Sequence, residues 1–315
     1  MLALPESGVV SSRTKHNSDL NIVCDWIESS AIFLAEPITM SDVVDLLTEH
    51  TIYDDQDFAE EFVATAWAIL KWRFKLLGNP LGIDVTNTRL SKADGKSWSD
   101  FPAYAFCMYM SCCSYLYPDA MGEVADSVKQ GDIFEKISVE SLRAMFPNWV
   151  VRPLGWSPDN PVRLVDIVGE LTSSLREVPG SEVDLHVNNY SKELGLDILL
   201  YREFGDDNAS FPVMMMQCAS GKNWVRKRKT PDLSIWRKVI SFNSNPVKGM
   251  VIPYSFADQN LFRKESTTVE GVFLDRYRLL APADRQDWAS ADLNAEIIDF
   301  LNQRVPVFPV STVVA

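Results

Sequence analysis

Through the first ~120 residues apolar positions recur every three to four residues, the spacing of helix faces, so a mainly helical region is expected there. In FAEEFVATAWAILKWRFKLL, Phe58, Phe62, Ala66, Ile69, Trp72 and Leu76 fall on one stripe, and Asp57-x-x-Glu60 forms a capping-box pattern at its start. Phe101 to Pro118 carries no charge and approaches the length of a bilayer span. Asp100 and Asp119 flank it, and Ser, Cys and Tyr dilute it, so the segment reads as a buried core helix packed on the preceding one. The intervening GNPLGIDVTNTRLSKADGKSW reads as loop from its Gly, Pro and Asn punctuation. Its Gly95-Lys96-Ser97 is the tail of a phosphate-binding loop. Leu90 stands where the leading glycine of that motif belongs, so no nucleotide site is expected.

Past Met121 the pattern changes. A helix from Lys129 to Phe146 leads to the apolar run Trp149-Val150-Val151, and a second helix follows from Arg163 to Glu177. Strands are expected at Asp197–Phe204 and Val213–Ala219, then a helix near Leu233–Phe242, a strand at Gly249–Tyr254 and a last helix in ASADLNAEIIDFLNQR. That order describes a mixed sheet flanked by helices, an α/β (mixed α+β) fold. Two domains are expected, residues 1–122 helical and 123–315 carrying the sheet.

Composition narrows the setting. Of 315 residues 46% are hydrophobic, enough for one large core or two smaller ones. The cysteines, at 24, 107, 112, 113 and 218, are odd in number with no Cys-x-x-Cys pair, which fits a reducing cytoplasm. MLALPESG has neither the basic nor the apolar region of a secretory signal, so a cytoplasmic protein without a membrane partner is expected. The net charge of -13 argues against a chain that coats nucleic acid non-specifically. One basic window runs against that sign: Lys222, Arg226, Lys227, Arg228, Lys229, Arg237 and Lys238, opposed by Asp232 alone. It reads either as a solvated face or as a phosphate-binding patch.

The two strands at 197–204 and 213–219 are joined by the turn-rich GDDNASFP. A hairpin centred near Asp207 sets Asp197 directly opposite Gln217, and residues so paired lie about 5 Å apart at Cβ. That is close enough for an acid and an amide oxygen to share one hard cation; Mg²⁺ needs only one or two carboxylates because it keeps several waters. On the Lys129–Phe146 helix, Glu135 falls between Leu142 and Phe146 within the apolar arc. A carboxylate there needs a partner, which a metal site would supply. Asp132-x-x-Glu135 also fits a capping box, and both readings stand. Glu170 and Glu193 are weaker candidates.

Glu193-Leu-Gly-Leu-Asp197-Ile-Leu, an apolar strand, then Gln217-Cys-Ala-Ser-Gly-Lys222-Asn-Trp224 resembles the core of the PD-(D/E)xK nuclease superfamily. It is most similar to the Mrr-like branch, in which glutamine replaces the second acid. The resemblance covers roughly residues 125 to 260 and implies a restriction-endonuclease-like core. It implies a metal-dependent DNA endonuclease using Mg²⁺ or Mn²⁺ held by Asp197, Gln217 and Glu135. Lys222 would position or activate the attacking water, since family spacing would put the lysine at 219, where this chain has Ala219. Lys222, Arg226, Lys227, Arg228 and Lys229 would contact the DNA backbone, joined by Trp224 and Trp236, although both tryptophans fit core positions equally well and Trp236, inside an apolar-periodic helix, fits one better. Proteins resembling this family are often restriction or phage-defence components that work beside a helicase or ATPase. A homodimer is among the assemblies left open.

Other chemistries find little support. The histidines, at 16, 50 and 186, have no zinc spacing, and no Gly-x-Ser-x-Gly elbow occurs. Cys218, without a neighbouring histidine, reads as packing. The competing reading is a catalytically inactive nuclease-fold subunit that binds DNA or a partner protein, which the displaced lysine and acidic charge favour.

Overall fold

A computed structural model describes residues 1–6, 9, 18–77, 82–154, 163–186, 194–281 and 288–311. In chain order its elements are α1 (Leu20–Phe33), β1 (Ile38–Thr39), α2 (Met40–Glu49), α3 (Gln56–Leu77), β2 (Ile83–Val85), β3 (Arg89–Lys92), α4 (Pro102–Ser111) and α5 (Pro118–Gly122). Then follow α6 (Ser127–Met145), β4 (Val150–Pro153), α7 (Leu164–Leu175), β5 (Val178–Pro179), β6 (Ile198–Tyr201) and β7 (Val213–Cys218). The last are α8 (Leu233–Val239), β8 (Ile240–Ser241), β9 (Val247–Val251), α9 (Gln259–Val269), β10 (Val272–Leu274), α10 (Arg276–Leu280) and α11 (Ala291–Asn302).

These elements form two compact units, the first comprising Met1–Ile133, Pro253–Leu261 and Asp275–Ala315, the second Phe134–Ile252 and Phe262–Leu274. This differs from the division read at residues 122 and 123, because the C-terminal segment belongs with the N-terminal helices. Phe300 of α11 packs on Phe106 and Tyr109 of α4 at 5.7 and 5.5 Å between ring centres. Arg276 of α10 bonds Asp25 of α1 at 2.7 Å. Long-range pairings of this kind leave no periodic trace in sequence.

In the first unit, α3 (Gln56–Leu77) begins two residues earlier than its capping-box pattern suggests. Asp55, not Asp57, caps it, its carboxylate accepting from the Asp57 and Phe58 amides at 2.8 and 3.4 Å. Its buried face is also rotated. Ala59, Phe62, Val63, Ala66, Trp67, Leu70 and Phe74 point inward while Phe58 is 54% exposed. The rotation follows from Arg73, which is fully buried and which an apolar-stripe reading leaves outside. The uncharged segment forms α4 and a single π-helical turn, Cys112–Leu116. That wider turn sets Ser114 Oγ within 2.7 Å of Tyr254 OH and Tyr115 edge-on to the Tyr254 ring. No described helix is long and apolar enough to cross a membrane. The segment read as loop instead holds β2 and β3, which with β1 make a three-stranded sheet in the order β1-β3-β2. Strands this short and polar are masked by the turn residues around them.

Buried between α1, α3, α4 and α10 is a charge network. Arg73 Nη1 bonds Asp25 at 2.9 Å and Glu28 at 2.5 Å, and Arg276 Nη2 bonds Asp25 and Ser255 Oγ at 2.7 Å each. The hydroxyls of Tyr104 and Tyr277 both donate to Glu28 Oε2, at 2.7 and 2.6 Å. Two arginines and two carboxylates balance, and burial is tolerated only because each charge has its partners. Burial by itself would raise the Asp25 carboxyl; Arg276 and Arg73 outweigh it and hold the group below the usual range.

The second unit is a five-stranded mixed sheet in the order β4-β6-β7-β9-β10. β4–β6 and β6–β7 pair antiparallel; β7–β9 and β9–β10 pair parallel. Apart from the two-residue strands β5 and β8, which pair with each other, the chain order α6, β4, α7, β6, β7, α8, β9 is the helix, strand, inserted helix, hairpin, helix, strand read from the sequence. Central strands β6 and β7 are apolar almost throughout, as strands covered on both faces must be. Leu199, Met215, Leu171 and Trp236 share one core, and Trp236 Nε1 donates to the Leu194 carbonyl at 3.2 Å.

Candidate functional site

The hairpin fixes the geometry. Ile198 pairs with Met216 and Tyr201 with Val213, so the register is centred on Asp207 and Asp197 comes opposite Gln217. Asp207 and Ser210, both at positive φ, let the connecting segment turn. Asp197 is held on both sides by its backbone, its N–H donating to Met216 O at 3.0 Å and its carbonyl accepting from Leu154 N at 2.9 Å. Its side chain lies at the end of the strand rather than in the core.

There the Asp197 carboxylate accepts from the Cys218 amide at 2.6 Å and from the Gln217 side-chain amide. Gln217 Nε2 also donates to the Cys218 carbonyl at 3.1 Å. The amide oxygen of Gln217 faces Gly195: a Cβ built there would lie 2.8 Å from it and 2.9 Å from Thr230 Cβ. Gly195 also has φ of +60°. Gly195→Ala is therefore expected to cost about 1–3 kcal/mol, from left-handed strain plus displacement of Gln217 and Thr230. Urea unfolding checks this; a cost under about 0.5 kcal/mol would show that the close approach is not required.

Burial pushes the Asp197 carboxyl up to about 6, against the Cys218 N–H and the charge of Lys227, which both favour the ionised form. An unfolded aspartate titrates near ~3.9, so the buried carboxylate favours folding below that pH and weakens it as pH rises through about 6. In metal-free protein Asp197→Asn is expected to raise stability at pH 8 by about 1–3 kcal/mol and to change little at pH 4. Urea midpoints at the two pH values measure the difference; an equal effect at both, or a loss at pH 8, would contradict the burial of a charge.

Glu135 sits on α6, whose first turn is capped by Asp126: Asp126 Oδ1 accepts from the Lys129 amide at 2.9 Å. The capping-box alternative for Glu135 therefore falls, since Glu135 lies two turns into the helix. Its charge and that of Asp197 both raise the Cys218 thiol, which burial already drives well above its ordinary value. Ser138, one turn beyond Glu135, shares a hydrogen bond with that thiol. The Glu135–Ser138 edge of α6 thus faces the end of β7, and burial disfavours a thiolate at Cys218. Ser138 was legible in principle, by its i+3 spacing from Glu135.

The remaining candidates divide. A 3₁₀ segment, Lys222–Lys227, follows β7. Lys222 opens it and is exposed; Lys227 closes it, and its charge is the one that acts on Asp197 and on Cys218. Arg226 and Lys229 are exposed, whereas Arg228 bonds Glu265 at 2.5 Å. Trp224 and Trp236, proposed contacts for DNA, are core residues at 6% and 1% exposure, Trp224 stacking on Phe273. Glu170 pairs with Arg152, and Glu193 lies outside the described residues.

The donors at this end of the sheet are hard oxygens, which suits Mg²⁺ or Mn²⁺. No group of three His, Cys, Asp or Glu close enough to hold a metal occurs among the described residues. A site here would rest on one or two carboxylates, the Gln217 amide turned so that its oxygen meets Asp197, and water. A buried carboxylate raised toward neutrality is a group that a bound cation would stabilise. Compared with family models, with curated proteins and with solved structures, the chain matches none.

Proposed function

We propose that this chain is a metal-dependent DNA endonuclease with a restriction-endonuclease-like second unit, acting in restriction or phage defence. The observation that carries this reading is Asp197 set opposite Gln217 at the end of a central hairpin, with Glu135 presented from α6. The strand order and the inserted α7 support it. Asp197, Gln217 and Glu135 would hold Mg²⁺ or Mn²⁺. When bound, the ion would supply Lewis-acid polarisation of the phosphate and a lowered pKa for water. Asp197 orients the site through its fixed backbone; Glu135 adds negative charge beside it. Exposed Lys222, Arg226, Lys227 and Lys229 form a local basic surface on a chain of net charge -13, suited to phosphate contacts.

Cleavage of plasmid DNA by purified full-length protein, with Mg²⁺ or Mn²⁺ and with chelator, tests this. Metal-dependent nicking is expected; none under either metal, alone or with a genomically adjacent helicase or ATPase, would overturn it. A second reading, an inactive nuclease-fold subunit that binds DNA or a partner protein, is favoured by one observation. Ala219, where family spacing puts the lysine, is fully buried.

A further inference from the structure

Resting on the nuclease reading, we propose that the second unit binds the backbone of double-stranded DNA across segment 222–229 and the neighbouring flank of α9. Lys264 is a further phosphate contact of that surface, and Arg228 is the positioning residue that holds the segment's cations in place.

The Arg228 side chain is turned into the protein. Its Nη1 bonds Glu265 of α9 at 2.5 Å and its Nε donates to the Val225 carbonyl at 2.8 Å. Its own carbonyl accepts from Lys248 Nζ of β9 at 3.1 Å. Glu265 and Lys248 are 9% and 8% exposed, so these bonds are shielded from the water that weakens a surface pair. Trp224 stacks on Phe273 of β10, and Phe273 on Phe262 of α9, with ring centres 6.0 and 5.3 Å apart. The segment is therefore tied to β9, β10 and α9 before any ligand arrives, which lowers the ordering cost of binding.

This scaffold leaves charge on its outside. Lys222, Arg226, Lys227 and Lys229 are exposed, as are Arg263 and Lys264 of α9. Lys264 directly precedes the residue that grips Arg228. Phe262 faces the sheet and Glu265 faces the segment. At about 100° per residue, Lys264 lies about 100° from Glu265 on the side away from Phe262, which is the outward flank beside the segment. Arg263 lies about 160° from Glu265, on the far side. Trp224 and Phe273 are buried against one another, whereas a surface for single strands offers its rings to unstacked bases. Cations whose neighbouring rings are turned inward suit the phosphates of a duplex.

Equilibrium binding of the full-length protein to a short duplex and to its single strand, with chelator and over a range of salt, tests this. The duplex is expected to bind at least about tenfold more tightly at equal salt. Lys264→Gln should weaken duplex binding about three- to tenfold and reduce the slope of log K against log salt by about 0.9. Arg263→Gln, on the far side, should change both less. Glu265→Gln separates positioning from charge. Removing a negative charge would by itself tighten binding to phosphate, whereas releasing Arg228 should weaken it about threefold or more. Arg228→Lys keeps the charge but has one nitrogen where the clamp uses two, and should weaken binding likewise. Lys264 is exposed, so its comparison with Arg263 decides even if a clamp variant loses its fold. Three results would each overturn the surface alone: Glu265→Gln binding as tightly as wild type or more so, equal effects of Lys264→Gln and Arg263→Gln, or equal binding of duplex and single strand. A wild type that binds duplex as described but cuts with neither metal would overturn the nuclease reading while supporting the surface. One that neither binds nor cuts would overturn both.

Discussion

Arg276→Met is expected to destabilise the first unit by about 3–5 kcal/mol, a large share of the stability of an ordinary domain. Arg276 and Arg73 are fully buried, as is Glu28, and Asp25 is nearly so. Removing one guanidinium leaves Asp25 with a single arginine, Arg73, and the hydroxyls of Ser255 and Ser111, and a buried carboxylate in that surrounding is poorly compensated. The loss should be far greater than for Arg163→Ala, which breaks the solvent-screened Arg163–Asp166 pair and is expected to change stability little. Because Asp25 is held low by its arginines, the network's contribution is present at neutral pH and is lost only as strong acid protonates it. Urea denaturation followed by tryptophan fluorescence measures both variants. A cost below about 1 kcal/mol for Arg276→Met would mean the network is not a determinant of the fold.

The second unit was more legible from sequence than the first, for a physical reason. Its hairpin is declared by local features: an apolar run, a turn-rich octapeptide and a second apolar run, with Asp197 and Gln217 at matched distances from the turn. Glu135 was legible as a carboxylate in an apolar arc, and its capping-box reading falls because Asp126 caps the helix first. The first unit depends on contacts between distant segments. Arg73 lies on the inward face of α3 because Asp25, Glu28 and Asn21 await it on α1, and no stripe of apolar residues signals that. The β2 and β3 strands are short, polar and hidden among turn residues. Sequence leaves Trp224 open between DNA contact and core; its burial against Phe273 depends on β10, which no local pattern announced.

Loss of Asp197 should have the largest effect on activity. Asp197→Ala removes the one carboxylate that the strand geometry fixes at the site, and cleavage is expected to fall by about 10³-fold or more, to the level seen with chelator. Since protons compete with a cation for this carboxylate, apparent Mg²⁺ affinity should weaken as pH falls below about 6. Asp197→Asn is the sharper variant. It retains an acceptor for the Cys218 amide and gains stability at pH 8, so lost activity cannot be put down to lost structure.

The most direct measurement is therefore Mg²⁺- and Mn²⁺-dependent plasmid cleavage by wild type and Asp197→Asn side by side at pH 8, with unfolding midpoints taken on the same samples. The expected result is cleavage by the wild type, none by a variant that is as stable or more so, and no cleavage by either with chelator. Equal cleavage by both proteins would contradict the assigned site, and metal-independent cleavage would contradict the chemistry proposed for it.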